Sequence, residues 1–296
     1  MYHVLPKSTI SLFMSSVVIT EQQFQLISDL HTEFYCGDIH IFDFVTPAAP
    51  YLIIAGDLGN PFLDSYSSFL EQASKLFVKV FLCAGNHEFY NLSNQSALRS
   101  MNQTEQRIRE IVAQFTNVIY LQQEAYAFEY PSNLVVLGLT LWSHIPARCE
   151  FLIKTSINDY RLIGSNCEAG RAVSVRETNQ LHASGVEWLV SMLEDSSYRE
   201  KRFLIISHHL PSFQLISPHY QGSPLNCAYA SDLDNLLARY NDRIEHFCSG
   251  HTHSSLNVMV KNVHCIVNPR GYVKEYHGTE NYEYDKKCVL RSQVKI

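Results

Sequence analysis

Five short segments carrying metal-ligand side chains each follow an apolar, strand-forming run. Phe24–Ile27 precedes Asp29-Leu30-His31, Tyr51–Ala55 precedes Gly56-Asp57, and Val78–Ala84 precedes Gly85-Asn86-His87-Glu88. Phe203–Ile206 then precedes His208-His209, and Ile244–Cys248 precedes Gly250-His251-Thr252-His253. Apolar and β-branched runs bounded by Gly, Asp, Asn and Ser read as strands. The chain is therefore constrained to a fold that presents several strand ends on one face. Asp, His and Asn are ligands for divalent first-row ions. Two such ions held close together can grip both the attacking and the leaving oxygen of a phosphoryl displacement. Taken singly the segments say little: Asp-x-His or Gly-Asp after a strand is commonly a turn, Asn86 suits a helix N-cap, and His208 suits a satisfied core histidine. Their joint occurrence, in order, points to a metal site.

Helical periodicity alternates with these strands. Tyr66, Phe69, Leu70, Ala73, Leu76 and Phe77 form one apolar stripe at helical spacing. The same spacing recurs in Ile108–Phe115, Val186–Leu193 and Leu233–Tyr240. Further strand-like runs are Val118–Leu121, Leu134–Leu141, Leu256–Val260 and Val263–Val267, the last two back to back around Lys261-Asn262. Persistent alternation of this kind defines the α/β class. Two stretches interrupt it, the polar Ser143–Ser174 and Leu210–Asn226, which carries three prolines and a glycine. Both follow strand ends, and long irregular segments in that position are expected to wall a substrate cleft.

At 296 residues the chain fits one α/β domain, and 46% apolar content supports a large core. Charged residues make up 18%, below the roughly 25% typical of soluble domains, which indicates a well-buried sheet. Residues 23–296 are assigned to the domain and residues 1–22 to an N-terminal extension. Ser8–Thr20 is only mildly apolar, is interrupted by Ser and Thr, and lacks a small-x-small site before Glu21. An extra edge strand or a loosely packed extension is expected there rather than a signal segment. No apolar run reaches the ~18 residues that a bilayer span needs. A net charge of −6 without a long basic run argues against non-specific nucleic-acid binding. The eight cysteines contain no Cys-x-x-Cys pair, and Cys83 and Cys248 fall within strands. Reduced thiols in a cytoplasmic protein are expected.

The ordered pattern Asp-x-His, Gly-Asp, Gly-Asn-His-Glu, His, Gly-His-x-His resembles the calcineurin-like metallophosphoesterase superfamily, from Phe24 to about Tyr272. The resemblance implies a four-layer α-β-β-α sandwich of two mixed sheets with two metal ions at the strand ends. It implies Asp29, His31 and His253 as ligands of one ion, and Asn86, His208 and His251 as ligands of the other. Asp57 would bridge them, one carboxylate oxygen to each, a role that requires an anionic two-oxygen group. A hydroxide held between the metals is the implied nucleophile, since a bound cation lowers the pKa of water. His87 is the implied non-ligand histidine that protonates the leaving oxygen or stabilises charged oxygens. Mixed His/Asp/Asn ligation suits Mn, Fe or Zn.

Departures from particular branches narrow the substrate. Gly56-Asp57 continues as Leu58-Gly59-Asn60, without the tyrosine that purple acid phosphatases carry three residues after the Asp. Asn60-Pro61-Phe62 stands where the serine/threonine protein phosphatases have Asp-Arg-Gly. Gly-Asn-His-Glu also differs from the Gly-Asn-Arg-Asp of lipid A pathway hydrolases. A hydrolase of phosphodiesters or small phosphomonoesters is the expectation, with small-molecule phosphate esters as partners. A non-catalytic scaffold of the same fold and a nuclease are the alternatives. Glu88 is expected to orient an imidazole or a backbone group. Arg161 and Arg270 could pair with a phosphate, although Arg161 could equally be a solvated loop arginine or pair with Asp159, and Arg270 could equally fix its turn. His209 could face substrate, support the site from behind, be merely structural or, as the least favoured reading, bind metal directly, and Tyr90, His144 and Tyr272 could flank the cleft. The tail Gly278–Lys287 is expected to be peripheral.

Overall fold

The structure of the protein is a computed structural model. It describes residues 21–35, 37–91, 97–129, 132–272 and 283–293. Ser8–Thr20 and residues 278–282 of the expected tail lie outside the described residues.

All the ligand-bearing runs form strands, and they divide between two sheets. The first sheet holds β1 (Glu21–Ile27), β2 (Tyr51–Ala55), β3 (Lys79–Cys83) and β4 (Val118–Tyr120), all parallel. The second holds β5 (Glu124–Ala127), β6 (Leu134–Leu139), β7 (Arg202–Ser207), β8 (Ile244–Ser249), β9 (Leu256–Val260) and β10 (Val263–Val267). In it β6, β7, β8 and β10 run parallel, with β5 and β9 antiparallel at the edges. The β9–β10 connection is the tight turn expected at Lys261-Asn262. Both residues have positive φ, 50° and 66°, the geometry of a type I′ turn.

Side-chain alternation then assigns the layers. Phe24, Leu26, Phe81 and Cys83 of the first sheet meet Val136, Leu204, Ile206 and Ile266 of the second in one buried cluster between the sheets. The outward-facing Ile27, Leu52, Val80 and Leu82 pack with α1 (Ile41–Phe44), α2 (Asp64–Leu76) and α3 (Met101–Val112). On the other side Leu137, Phe203 and Ile205 pack against α6 (Val175–Glu194) and α7 (Asp234–Arg239). The result is the α-β-β-α sandwich. Strands covered on both faces explain why these runs are apolar throughout rather than alternating. Capping boxes Ser100/Gln103 and Ser174/Glu177 satisfy the first amides of α3 and α6.

Several local expectations are corrected. The segment Ser143–Ser174 is not irregular throughout, since it contains α4 (Glu150–Ser156) and α5 (Asp159–Leu162). β1 begins at Glu21, inside the residues assigned to the extension, and its outer edge is covered by β11 (Val289–Gln293). β5 and β11 escaped notice because they are short edge strands whose polar residues carry no period; only pairing with β6 and β1 makes them strands. The described part of the tail is anchored, not peripheral: Tyr284 Oη donates to Phe44 O at 2.6 Å, and the Asn268 side chain bonds both backbone polar groups of Asp285. Seven cysteines among the described residues are free thiols. Among the described residues, no helix is long and apolar enough to cross a membrane.

Candidate metal centre

The carboxyl ends of β1, β2, β3, β7 and β8 converge on one rim of the sandwich. Backbone bonds carry the two sheets on into their loops: Asp29 N donates to Gly56 O, His31 N to Asp57 O, and Gly250 N to His208 O, each at 3.0 Å. The turns are tight. Asp29, His31, Asp57, His251 and His253 all have φ between 49° and 73°. Left-handed backbone costs a non-glycine residue roughly 1–2 kcal/mol, and five such residues persist only where the surroundings over-determine them. Glycines make the room. A Cβ at Gly56, whose φ is +81°, would lie 2.4 Å from His208 Nδ1, and one at Gly85 would lie 2.2 Å from Asp57 Oδ1.

The side chains so placed form two clusters. In one, His253 Nε2 lies 3.3 Å from Asp29 Oδ1 and 3.0 Å from His31 Nε2, which is itself 3.8 Å from Asp57 Oδ2. In the other, His208 Nε2 lies 3.2 Å from Asp57 Oδ2, 3.1 Å from Asn86 Oδ1 and 3.1 Å from His251 Nδ1. All seven residues assigned to metals by the sequence are thus brought together. The division into two groups follows the sequence reading. Oδ2 alone turns toward both clusters, because Oδ1 accepts the His87 amide at 2.8 Å.

These contacts fit cations better than hydrogen bonds. His208 Nδ1 faces Ala55 O at 2.9 Å and can only donate to it. In a neutral ring Nε2 then presents a lone pair to two acceptor oxygens, which only a proton or a metal reconciles. Without a metal the proton is held tightly: burial opposes the charge, but Asp57 and Asp29 push His208 up to about 10. Burial likewise opposes ionisation of Asp57, yet His208, His87 and His31 hold its carboxyl well below the usual range. Burial, His209 and His208 keep His251 well below an ordinary histidine, hence neutral and able to ligate. Donor atoms about 2.1 Å from a common ion lie roughly 3.0–3.4 Å apart, as most of these do. The residues present therefore fit two metal ions.

A buried frame of carboxylates holds the candidate ligands. Glu33 Oε1 faces His87 Nδ1 at 2.8 Å and His31 Nδ1 at 3.3 Å. Burial opposes its charge, but both histidines hold Glu33 down at about 2. Asp159 Oδ1 accepts Asn86 Nδ2 at 2.9 Å and Tyr90 Oη at 2.7 Å, which turns Asn86 Oδ1 toward His208. Glu88 accepts the amides of Gly85, Leu58 and Asp57 at 2.7, 2.8 and 3.1 Å, so it braces backbone and not an imidazole. His87 directs Nε2 to Tyr272 Oη at 3.1 Å, with its ring stacked on Tyr90.

The remaining expectations divide. His209 is buried behind His251, its ring 4.2 Å away and Nδ1 on Ser143 Oγ, so it supports a ligand and does not line the cleft. Arg161 is exposed and bonded to Asn158, not to Asp159. Arg270 turns away, with Nε on Tyr35 Oη and its guanidinium over Phe44. His144 is exposed beside His182, outside the cleft. Tyr90 and Tyr272 do line it, within a cleft of about 390 Å³ whose outer walls come from the two segments expected to build them. Glu33 and Asp159 were missed. Glu33 lies only two residues after His31 and Asp159 two residues before Arg161, and neither position carries a local signal that separates it from an ordinary loop carboxylate.

Comparisons with known proteins agree with this geometry. The family described as calcineurin-like phosphoesterase matches residues 24–255. The chain is 29% identical over 274 residues to uncharacterized protein L509 of Acanthamoeba polyphaga mimivirus, covering 87% of this chain and 94% of that one. Its fold is similar to a phosphopantetheinyl hydrolase from Mycobacterium tuberculosis, with TM-score 0.69, 15% identity, and 93% and 97% of the two chains covered. It is also similar to TT1561 of Thermus thermophilus, with TM-score 0.51, 11% identity, and 93% and 100% covered. With a family match that spans all five strand-end segments, the chain belongs to the calcineurin-like phosphoesterases.

Proposed function

We propose that this chain is a dinuclear metal-dependent hydrolase of phosphodiesters or small phosphomonoesters. The observation that carries the reading is Asp57 Oδ2, placed between His31 Nε2 and His208 Nε2 as a shared anionic ligand. Bound metals would supply Lewis acidity toward the phosphoryl oxygens and activate water near neutral pH. Asp29, His31, His253 and Asp57 would hold one ion, and Asn86, His208, His251 and Asp57 the other. The mixed nitrogen and oxygen donors suit Mn, Fe or Zn.

The chain's own groups do the rest. His87 lines the cleft with Nε2 forward, and burial, which opposes its charge, is outweighed by Asp57 and Glu33, which raise it to about 9. A cation on Asp57 would remove part of that pull and bring the ring nearer to an acid that can release its proton. His87 is thereby poised to protonate the leaving oxygen, with Glu33 holding Nδ1 and Tyr272 steering Nε2. The sequence, with its widely spaced cysteines and no Cys-x-x-Cys pair, favours the cytoplasm as its compartment.

The test is turnover of an aryl phosphodiester by Mn²⁺-loaded protein, with His87→Ala as the diagnostic variant. His87→Ala is expected to keep its metal and to lose most activity on an ester with a poor leaving group. Equal loss of metal would move His87 into the ligand set and end its assignment as the acid.

A further inference from the structure

The cleft has two chemically different halves. Its inner end is the ligand set with His87 and Tyr272. Its outer half comes from the segments that interrupt the α/β alternation: Ser156, Ile157 and Asn158 face Ile216, Leu225 and Asn226. Every one of these side chains is uncharged. Three offer aliphatic surface, and three offer a hydroxyl or amide. Among the described residues, no lysine or arginine lines the cleft. The two arginines nearest the site in sequence are engaged elsewhere, Arg270 by Tyr35 and Arg161 by Asn158.

Size and charge then limit what fits. A volume of about 390 Å³ lies within the range of small-molecule sites and far exceeds a phosphoryl group, which needs only a few water volumes of about 30 Å³ each. A phosphodiester carries one negative charge, whereas a monoester carries close to two near neutral pH. Metal charge is confined to the inner end. A further anion on the ester group would be pressed against Ile157, Ile216 and Leu225 with no lysine or arginine among the described lining residues to pair with it, which costs desolvation. An uncharged ring or short chain would instead gain about 25 cal/mol for each Å² of apolar surface it buries there.

We infer that the cleft selects phosphodiesters whose second alcohol is uncharged and partly apolar, and discriminates against esters bearing further anionic groups. This rests on the phosphoesterase reading and narrows it to a substrate class. The ester group lies along the Ile157–Leu225 surface, its polar atoms met by Asn158 and Asn226.

Four p-nitrophenyl esters that release the same chromophore test the inference on the full, metal-loaded chain: the phenyl, methyl and 4-carboxyphenyl diesters, and p-nitrophenyl phosphate. The phenyl diester is expected to exceed the methyl diester in kcat/KM by at least about tenfold, mainly through KM. The 4-carboxyphenyl diester is expected at least about tenfold below the phenyl diester because of its charged ester group, and the monoester at least about tenfold below it because it has no second ester group to bury. Calorimetric titration with methyl(phenyl)phosphinate and methyl(4-carboxyphenyl)phosphinate, whose two P–C bonds leave no ester to hydrolyse, should rank the two groups in the same order. Ser156→Arg and, independently, Ser217→Arg on the opposite wall should each raise the carboxyphenyl-to-phenyl ratio at least about threefold. Hydrolysis of all four esters without discrimination overturns the selectivity and leaves the phosphoesterase reading intact. No hydrolysis of any ester by protein carrying two metals per chain overturns both.

Discussion

Glu33 and His87 are joined by a buried contact of 2.8 Å between Oε1 and Nδ1. The same oxygen faces Nδ1 of the candidate ligand His31, so one carboxylate sets the tautomer of both rings and turns both Nε2 atoms toward the reaction side. Glu33→Gln is expected to slow an ester with an alkoxide leaving group about 10²-fold and a p-nitrophenyl ester less than about tenfold. Both rates are compared at saturating metal. Equal slowing of the two would mean that Glu33 does not act through the proton on His87.

Among the described residues, Asp57 is the one side chain that faces both clusters. Asp57→Asn keeps the shape and removes the shared charge, leaving each cluster without its common anion. Bound metal, measured by elemental analysis, is expected to fall below two per chain, and turnover of an aryl phosphodiester to fall at least about 10³-fold. Unchanged turnover would eliminate Asp57 as a bridge.

Asp159 reaches the centre from α5 and fixes the Asn86 amide. In Asp159→Ala the amide is free to turn its nitrogen toward His208. Metal affinity, titrated calorimetrically into metal-free protein, is expected to weaken about 10–100-fold, the usual loss for a partner of a ligand.

Chelation should destabilise the fold. A ligand at 100 times its Kd adds about 2.7 kcal/mol, and a chain of this size shifts by roughly 2–4 °C per kcal/mol. A drop in Tm of about 5–10 °C on metal removal is expected by calorimetry, reversed by Mn²⁺ or Zn²⁺. An unchanged Tm would show that the clusters hold no metal tightly.

Glu177 closes the capping box of α6 and also pairs with Arg171 and Ser165. Burial opposes its charge, but Ser165, Ser174 and Arg171 lower it from 4.5 to about 2. A carboxyl depressed by folding stabilises fully above its unfolded pKa and loses that contribution as pH falls through its folded one. The stability advantage over Glu177→Gln should therefore be full above pH 4.5 and shrink toward pH 2. Denaturant melts at several pH values check this, and a constant difference would refute it.

Nine of the eleven strands among the described residues, four of the helices and all seven candidate ligands were legible in the chain because each is announced locally. An apolar run followed by Gly, Asp, Asn or His marks a strand end whatever lies far away. Burial on both faces kept those runs apolar, and glycine stood wherever a ligand side chain needed the space. Only tertiary structure could decide how the ligands are oriented. Glu33 and Asp159 matter through partners 54 and 73 residues away, and no local period encodes such a contact. The same holds for Arg161 and Arg270, whose residue type suits a phosphate but whose direction is set by Asn158, Tyr35 and Phe44. Side-chain chemistry is written in the sequence, whereas the direction in which that chemistry points is decided by packing.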